Sequence, residues 1–241
     1  MNIALDTNIW IYLTKDTFFE LWTKFKEMKE SGEINVIVND IILKEWARNK
    51  PAAIKALTES IKNEYKSAFN LSNYLRGEVK DMYLQTISEY KEEANRIKKA
   101  QARIEEIETF MNSCTIITTT EKQKLFISEL SINKMPPFQN TKNNFNDALI
   151  IRNISEHIKS TLPLLYDLIY VSNNPNDFID KTTSEIYESI LKDLEPIRLK
   201  NVSELGEALK LAPELIEDFD EWLEYQLDSQ AMYELDIIRG K

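Results

Sequence analysis

The chain has 241 residues, of which 43% are hydrophobic and 29% charged, with four glycines and seven prolines. This composition fits a globular protein with one large core and excludes fibrous and low-complexity classes. Its single histidine, His157, excludes a histidine-rich zinc site. Any metal chemistry must therefore rest on oxygen ligands, which suit magnesium or manganese.

The net charge of −10 is concentrated near the C-terminus. Residues 204–236 carry eleven acidic side chains and one basic one, whereas residues 1–203 are nearly neutral. A nucleic-acid partner for the body of the chain is therefore not excluded. The acidic segment is most simply a solvated helical surface, and the alternatives are that it repels nucleic acid or pairs with a second copy of the chain.

Compartment and membrane association can also be predicted from composition. The single cysteine, Cys114, cannot form an internal disulfide, which favours a reducing cytoplasm. No apolar run is long enough to span a bilayer, and we see no signal peptide at the N-terminus. We expect a cytoplasmic protein without a membrane partner.

Five short apolar segments have the character of strands, and helical patterns separate them. This alternation predicts an α/β fold in which a mostly parallel five-stranded sheet is covered by helices on both faces. The predicted strands are Asn2–Leu5, Ile34–Val38, Thr115–Thr119, Leu168–Ser172 and Ile197–Leu199.

Residues 51–111 show no strand pattern. Apolar or aromatic residues recur every seven positions from Tyr83 to Met111, which predicts a long helix paired with the one before it. We expect a helical hairpin inserted between residues 1–50 and 112–203, with an acidic helical segment at 204–241.

Four carboxylates lie where a parallel sheet would gather them. Asp6 ends the first strand, Glu45 lies in the helix after the second, Asp147 opens the helix before the fourth, and Asp177 follows the fourth. Ligands of open α/β sheets bind at the carboxyl ends of the strands. Acids clustered there repel one another unless a cation compensates them, which predicts a site for Mg²⁺ or Mn²⁺.

Each of these acids also has a structural interpretation. Asp6 could cap the following helix, and Asp147 could stabilise the first turn of its own helix. Glu45 could lie on a solvated helix surface, and Asp177 could form an Asx turn after Pro175-Asn176. The four acids together, each placed relative to a separate strand, indicate a site more specifically than any one acid does.

Four stretches in this order resemble the motifs of PIN-domain ribonucleases: LDTNIWIYL, VNDIILKEWAR, NNFNDALI and VSNNPNDF. The resemblance covers residues 1–50 and 112–200, and the stretch KMPPFQN is similar to a larger bacterial PIN-like subfamily. It implies a three-layer α/β/α PIN-like domain around the predicted sheet, with the helical hairpin inserted.

The resemblance also implies roles for individual residues. Asp6, Glu45, Asp147 and Asp177 would be the catalytic acids, of which Asp6, Asp147 and Asp177 bind Mg²⁺ or Mn²⁺. Thr7, Asn8 and Asn174 would support them by hydrogen bonds. Some PIN enzymes carry an acid where Asn174 stands, and this difference favours one tightly bound metal over two.

The function implied is a metal-dependent endonuclease acting on single-stranded or structured RNA, with toxin activity or phage defence as its role and an inhibitor protein as a further partner. The first alternative is a catalytically silent PIN-like module that binds RNA or protein. The second is an aspartyl phosphatase with Asp6 as nucleophile. Asn8 argues against the phosphatase, because that chemistry usually needs a second aspartate there.

Overall fold

A computed structural model describes residues 1–139, 144–161, 168–174, 178–180, 182–183, 185–194 and 199–211. Two features of the sequence lie outside these ranges, namely Asp177 and residues 212–241, which hold most of the acidic segment.

A five-stranded, all-parallel sheet flanked by helices forms the centre of the molecule, which confirms the predicted fold class. Its order is β3-β2-β1-β4-β5. The strands are β1 (Asn2–Leu5), β2 (Asn35–Asn39), β3 (Thr115–Ile117), β4 (Leu168–Val171) and β5 (Leu199–Val202). The first half of the chain extends the sheet from β1 in one direction, and the second half extends it in the other. Right-handed crossovers therefore place helices on both faces and leave a crevice between the carboxyl ends of β1 and β4.

The strand bounds follow pairing more closely than hydrophobicity. Every residue of β1 and β4 is buried, as expected for central parallel strands. The fifth strand extends past the predicted segment 197–199, of which only residue 199 lies in the described ranges, because Leu199–Val202 pairs residue by residue with Leu168–Val171. This edge strand includes Lys200 and Asn201, which an apolar pattern could not assign to a strand.

Eight α-helices connect and extend the strands of the described chain. They are α1 (Thr7–Tyr12), α2 (Phe19–Glu30), α3 (Asp40–Leu71), α4 (Gly77–Ile87), α5 (Glu93–Asn112), α6 (Glu121–Ile132), α7 (Phe145–Thr161) and α8 (Glu188–Leu191). Residues 205–211 are also helical. No helix in the ranges given above is both long enough and apolar enough to cross a membrane.

The helices between β2 and β3 differ from the predicted hairpin in two places. First, α3 runs unbroken across the predicted boundary at residue 51, with Pro51 inside it. Ala47 and Pro51 are both exposed, so the carbonyl left without an N–H partner at Ala47 can bond to water. Second, the predicted helix from Tyr83 to Met111 is interrupted by a 3₁₀ turn at Ser88–Lys91.

Arg96 accounts for the interruption. Its buried guanidinium donates hydrogen bonds to the carbonyls of Tyr90 and Lys91, at 2.8 and 2.5 Å. These carbonyls belong to the end of the turn, where the last carbonyls of a helical segment have no partner within that segment. The seven-residue periodicity is therefore real, but it is divided between α4 and α5. The division of the chain into domains remains a prediction.

The inserted helix α5 is joined to the sheet domain by aromatic packing and by buried polar contacts. The rings of Trp22 and Phe110 meet edge to face with centroids 4.8 Å apart. Trp22 Nε1 donates to Glu106 Oε1 at 2.7 Å, and Arg103 Nη2 donates to the carbonyl of Leu13 at 2.8 Å. Since Leu13 ends α1, the insertion fixes the helix that follows Asp6.

A buried amide, Asn153, joins α7 to the carboxyl ends of β2 and β3. Its Oδ1 accepts a hydrogen bond from Asn39 Nδ2. Its Nδ2 donates to Gln123 Oε1 at 2.9 Å and to the carbonyl of Thr118 at 3.2 Å. Asn153 is 3% exposed, so these groups have no access to bulk water. The network fixes the rotation of α7, and with it the direction in which the first turn of that helix faces.

We expect Asn153→Leu to lower the free energy of unfolding by about 2–4 kcal/mol, because it leaves several buried polar groups without partners. Urea denaturation followed by circular dichroism measures the change. The control is Asn133→Leu at an exposed asparagine, which should change stability by less than about 0.5 kcal/mol. Equal stability of the two variants would contradict the role given to the network.

Candidate active site

Asp6 lies directly after β1, at the crevice between β1 and β4, and is 7% exposed. Its Oδ2 accepts a hydrogen bond of 3.0 Å from Ser172 Oγ, and Ser172 directly follows β4. The Ser172 hydroxyl in turn accepts from the backbone N–H of Asn174 at 3.2 Å. Although Asp6 occupies the N-cap position of α1, its side chain makes no cap hydrogen bond. The hydrogen bond that orients this carboxylate therefore comes from Ser172 and not from a cap of α1.

The electrostatic environment of Asp6 disfavours its charged form. Burial raises the pKa of the Asp6 carboxyl, and the negative charge of Glu45 adds to the increase. The Ser172 hydroxyl and the nearby N–H groups of Thr7 and Asn8 act in the opposite direction without cancelling it. No lysine or arginine within the described ranges forms an ion pair with Asp6. The fold thus holds a carboxylate where ionisation is costly.

Glu45 lies in the second turn of α3 and faces Asp6 across the start of α1. Its Oε2 accepts a hydrogen bond from Thr7 Oγ1 at 2.7 Å, and its Oε1 accepts from Asn146 Nδ2 at 2.8 Å. Its side chain is 20% exposed, and Arg48 approaches Oε1 at 3.7 Å. Glu45 is therefore not on a fully solvated surface, because α1, α3 and α7 meet at its carboxylate.

Asp147 lies in the first turn of α7 and is half-buried. The preceding residue, Asn146, donates to Glu45, so the start of α7 lies against the start of α3. Phe138, which belongs to the KMPPFQN stretch, is buried, and its ring packs against Phe145 at the start of α7 with centroids 6.4 Å apart. This stretch therefore contributes a packing contact to the start of the helix that carries Asp147.

Tyr170 is affected by the charges of all three described acids. It lies on β4 beside Ala4 of β1, and its ring is fully buried. Burial raises its pKa well above the ordinary value, and the charges of Asp6, Asp147 and Glu45 raise it further. All three carboxylates are therefore near enough to act on one phenol. Among the described residues, the Tyr170 hydroxyl has no hydrogen-bond partner.

The predicted supporting residues have different positions. Thr7 is buried and bonded to Glu45, whereas Asn8 is exposed on α1 and contributes through its backbone. Asn174 contacts Ser172 through its backbone N–H. Asp177 lies outside the described residues, so its position stays a prediction. The roles assigned to all these residues also stay predictions.

Three residues of the site were missed by the sequence analysis, namely Ser172, Asn146 and Tyr170. Ser172 and Asn146 each lie within one of the quoted motif stretches but were given no role, and polar character at a strand end or a helix start was the available signal. Tyr170 carried no signal, because within an apolar run it looks like an ordinary core residue.

The donor set at this crevice consists of carboxylate, amide and hydroxyl oxygens, which suit a hard divalent cation. The raised pKa of Asp6 fits such an ion, because a nearby positive charge would offset the cost of burying the carboxylate. In the part of the chain that the structure describes, no three acidic, histidine or cysteine side chains converge into a complete metal-binding group. The donor types present fit a hard divalent cation, whereas the described acids do not by themselves complete its coordination, and the predicted ligand Asp177 lies beyond the described ranges.

The pKa of Asp6 gives a prediction for the metal-free protein. The folded chain binds the Asp6 proton more tightly than the unfolded chain, whose pKa is near 3.8. Stability from this group is therefore present below that value and is lost as the pH rises through the folded pKa. We expect Asp6→Asn to unfold at higher urea concentration than wild type near pH 7 in EDTA, with the advantage shrinking towards pH 4.

The matched control is Asp81→Asn, which removes a charge at an exposed position on α4. This variant should show no such pH-dependent gain. An Asp6→Asn variant less stable than wild type near pH 7 would show instead that the carboxylate supports the fold.

Comparison with known proteins identifies the family. The family model of the PIN domain matches residues 3–178, which includes the helical insertion and every predicted acid. No curated protein and no solved structure gave a match. PIN domains are generally nucleases and typically use divalent metal ions. With the all-parallel sheet and the acids at its crevice, the match shows that this chain belongs to the PIN domain family.

Proposed function

We propose that this chain is a metal-dependent endoribonuclease that hydrolyses phosphodiester bonds. The observation that supports the proposal best is the position of Asp6, a buried carboxylate with a raised pKa at the end of the central strand, near Glu45 and Asp147. If this residue served only stability, a neutral residue at the same place would give a higher free energy of unfolding. Retaining an ionisable group there is expected of a functional site.

In this proposal Asp6, Asp147 and Asp177 hold Mg²⁺ or Mn²⁺. When bound, the ion would neutralise charge on the phosphodiester and lower the pKa of a water molecule. Ser172 keeps the Asp6 carboxylate oriented, and Thr7 and Asn146 hold Glu45. Water adds to phosphorus in line with the bond to the 3′ oxygen. That bond breaks, the 3′ oxygen takes a proton, and the products carry a 5′-phosphate and a 3′-hydroxyl.

The biological setting that we propose is toxin activity or phage defence in the cytoplasm, with an inhibitor protein as the natural means of control. Cys114 is a free thiol, which accords with a reducing compartment. RNA is the proposed substrate because the family resemblance extends to ribonucleases.

A second candidate is a PIN-like module that binds RNA or protein without cleaving it. The observation in its favour is that the described acids do not by themselves form a complete metal-binding group. The two candidates differ in whether a metal ion binds to the folded chain and in whether phosphodiester bonds break.

Cleavage separates the candidates directly. With Mn²⁺ or Mg²⁺ and a labelled single-stranded RNA, we expect Asp6→Asn and Asp147→Asn to lower the cleavage rate by at least about a hundredfold, because each removes a proposed ligand. Asp81→Asn should cleave at the wild-type rate. Wild-type cleavage that persists in EDTA, or equal rates for all four proteins, would refute the proposed mechanism.

Metal binding can be measured without activity. A ligand that binds only the folded chain stabilises it, by about 2.7 kcal/mol at a hundred times its Kd. We expect millimolar Mn²⁺ to raise the melting temperature of wild type and Asp81→Asn, but not that of Asp6→Asn. No shift for wild type, together with RNA binding that needs no metal, would favour the silent module.

A further inference from the structure

One face of α3 carries a row of four basic side chains. These residues, which we call the basic strip, are Arg48, Lys55, Lys62 and Lys66. Seven, seven and four residues separate them, so on a helix of about 3.6 residues per turn all four lie within about 40° of one another. At about 1.5 Å per residue, the strip is about 27 Å long. A single helix face therefore presents a row of positive charge.

The basic strip faces solvent. Three of its four side chains are exposed, and the fourth, Lys62, is partly exposed. The apolar face of the same helix, with Leu57 and Ile61, is buried in one cluster with Ala100 of α5. The helical period places these apolar residues on the side of α3 opposite to the strip. One face of α3 therefore holds the insertion together, and the charged face is available to another molecule.

The positive charge of the strip is only partly compensated. Lys55 and Lys66 form no ion pair with any residue in the described ranges. Glu59, the one acidic side chain on this face between the ends of the strip, accepts hydrogen bonds from Lys62 Nζ at 2.9 Å through both oxygens. The hydrogen bonds from Lys62, followed by the charges of Lys62, Lys66 and Arg96, lower the pKa of Glu59. This face is therefore positive, although the whole chain has a net charge of −10.

One end of the strip contacts the candidate active site. Arg48 lies one turn after Glu45, and its Nη2 is 3.7 Å from Glu45 Oε1. The same oxygen accepts a hydrogen bond from Asn146, the residue before Asp147. The other end, Lys66, lies about 27 Å away in the insertion. A linear polyanion lying along the strip therefore reaches the site at Arg48.

The backbone of a nucleic acid matches the strip in charge and in form. Its phosphates are a regular row of negative charges, and exposed lysine and arginine side chains bind them whatever the base. An acidic protein segment would match the charge alone. A nucleic acid also accounts for the end of the strip at Glu45, because the proposed reaction needs a phosphodiester there.

We propose that the basic strip binds the phosphate backbone of the substrate RNA next to the bond that is cut. Arg48 binds the phosphate nearest to the site, and Lys55, Lys62 and Lys66 bind phosphates progressively farther from it. Such contacts fix the position of the strand without reading its sequence. This inference rests on the proposed function, since it assigns to the inserted helix the binding of the same substrate.

The test measures RNA binding in EDTA, so that metal-dependent cleavage does not interfere. Fluorescence anisotropy of a labelled single-stranded RNA gives the Kd at several salt concentrations. Each phosphate contact on a single strand changes log Kd by about 0.7 for a tenfold change in salt. The strip variant Lys55→Gln/Lys62→Gln/Lys66→Gln removes three contacts. We expect its salt slope to fall by about 2 and its Kd at low salt to rise by at least about tenfold.

A second variant tests the same surface in the opposite direction. Glu59→Gln removes the one acidic side chain of this face and releases Lys62 from its ion pair. We expect it to bind the RNA more tightly than wild type at low salt, because a repulsive charge beside the phosphates is lost.

The matched control is Lys24→Gln/Lys98→Gln/Lys99→Gln, which changes the net charge by the same amount at exposed lysines away from the strip. Lys98 and Lys99 belong to α5 of the same insertion, and Lys99 lines a cavity with Leu57 and Ile61, on the opposite side of α3. This variant should keep the wild-type salt slope. Circular dichroism and melting curves verify that every variant is folded.

Equal salt slopes for the strip variant and the control variant would overturn the proposal and leave an acidic protein segment as the partner that fits the charge. Undetectable binding by wild type, or binding by Glu59→Gln no tighter than that of wild type, would also overturn it. The outcome is separable from that of the proposed function. A reduced slope of the strip variant in a chain that never cleaves RNA would support the strip and refute the nuclease, and cleavage with unchanged slopes would do the reverse.

Discussion

The hydrogen bond from Ser172 to Asp6 joins the carboxyl ends of two central strands and orients the buried carboxylate at the crevice between them. It lies where the chain changes direction across the sheet, between β1 and β4. A carboxylate buried there is costly, and one hydroxyl donor reduces the cost without removing it. The residual cost is the physical reason to regard Asp6 as functional, because a purely structural residue at that place would be more stable uncharged.

The other described acids are carried by elements that are each fixed from outside the site. Glu45 comes with α3, which begins at the end of β2. Asp147 comes with α7, whose rotation is set by the buried amide of Asn153. The inserted helix α5 contributes without carrying a site residue, since Arg103 holds the carbonyl of Leu13 at the end of α1. Rigid neighbours of this kind position a ligand more accurately than a loop could.

The fold class and the alternation of strands and helices could be predicted from the sequence alone, because both depend on local patterns, whereas the site formed by the acids stays a prediction. Alternating apolar strands and helices predict a parallel sheet, and a parallel sheet brings its strand ends together. Where the local patterns and the long-range contacts favour different element boundaries, the structure follows the contacts. Leu199–Val202 is a strand because β4 pairs with it, α3 continues through Pro51, and Arg96 interrupts a helix that heptad spacing would extend. Only the tertiary structure could show what Ser172, Asn146 and Tyr170 contact, since the partners of each are at least 100 residues distant or lie on another strand. Their chemistry comes from burial and neighbours, and neither is visible in the letters of the sequence.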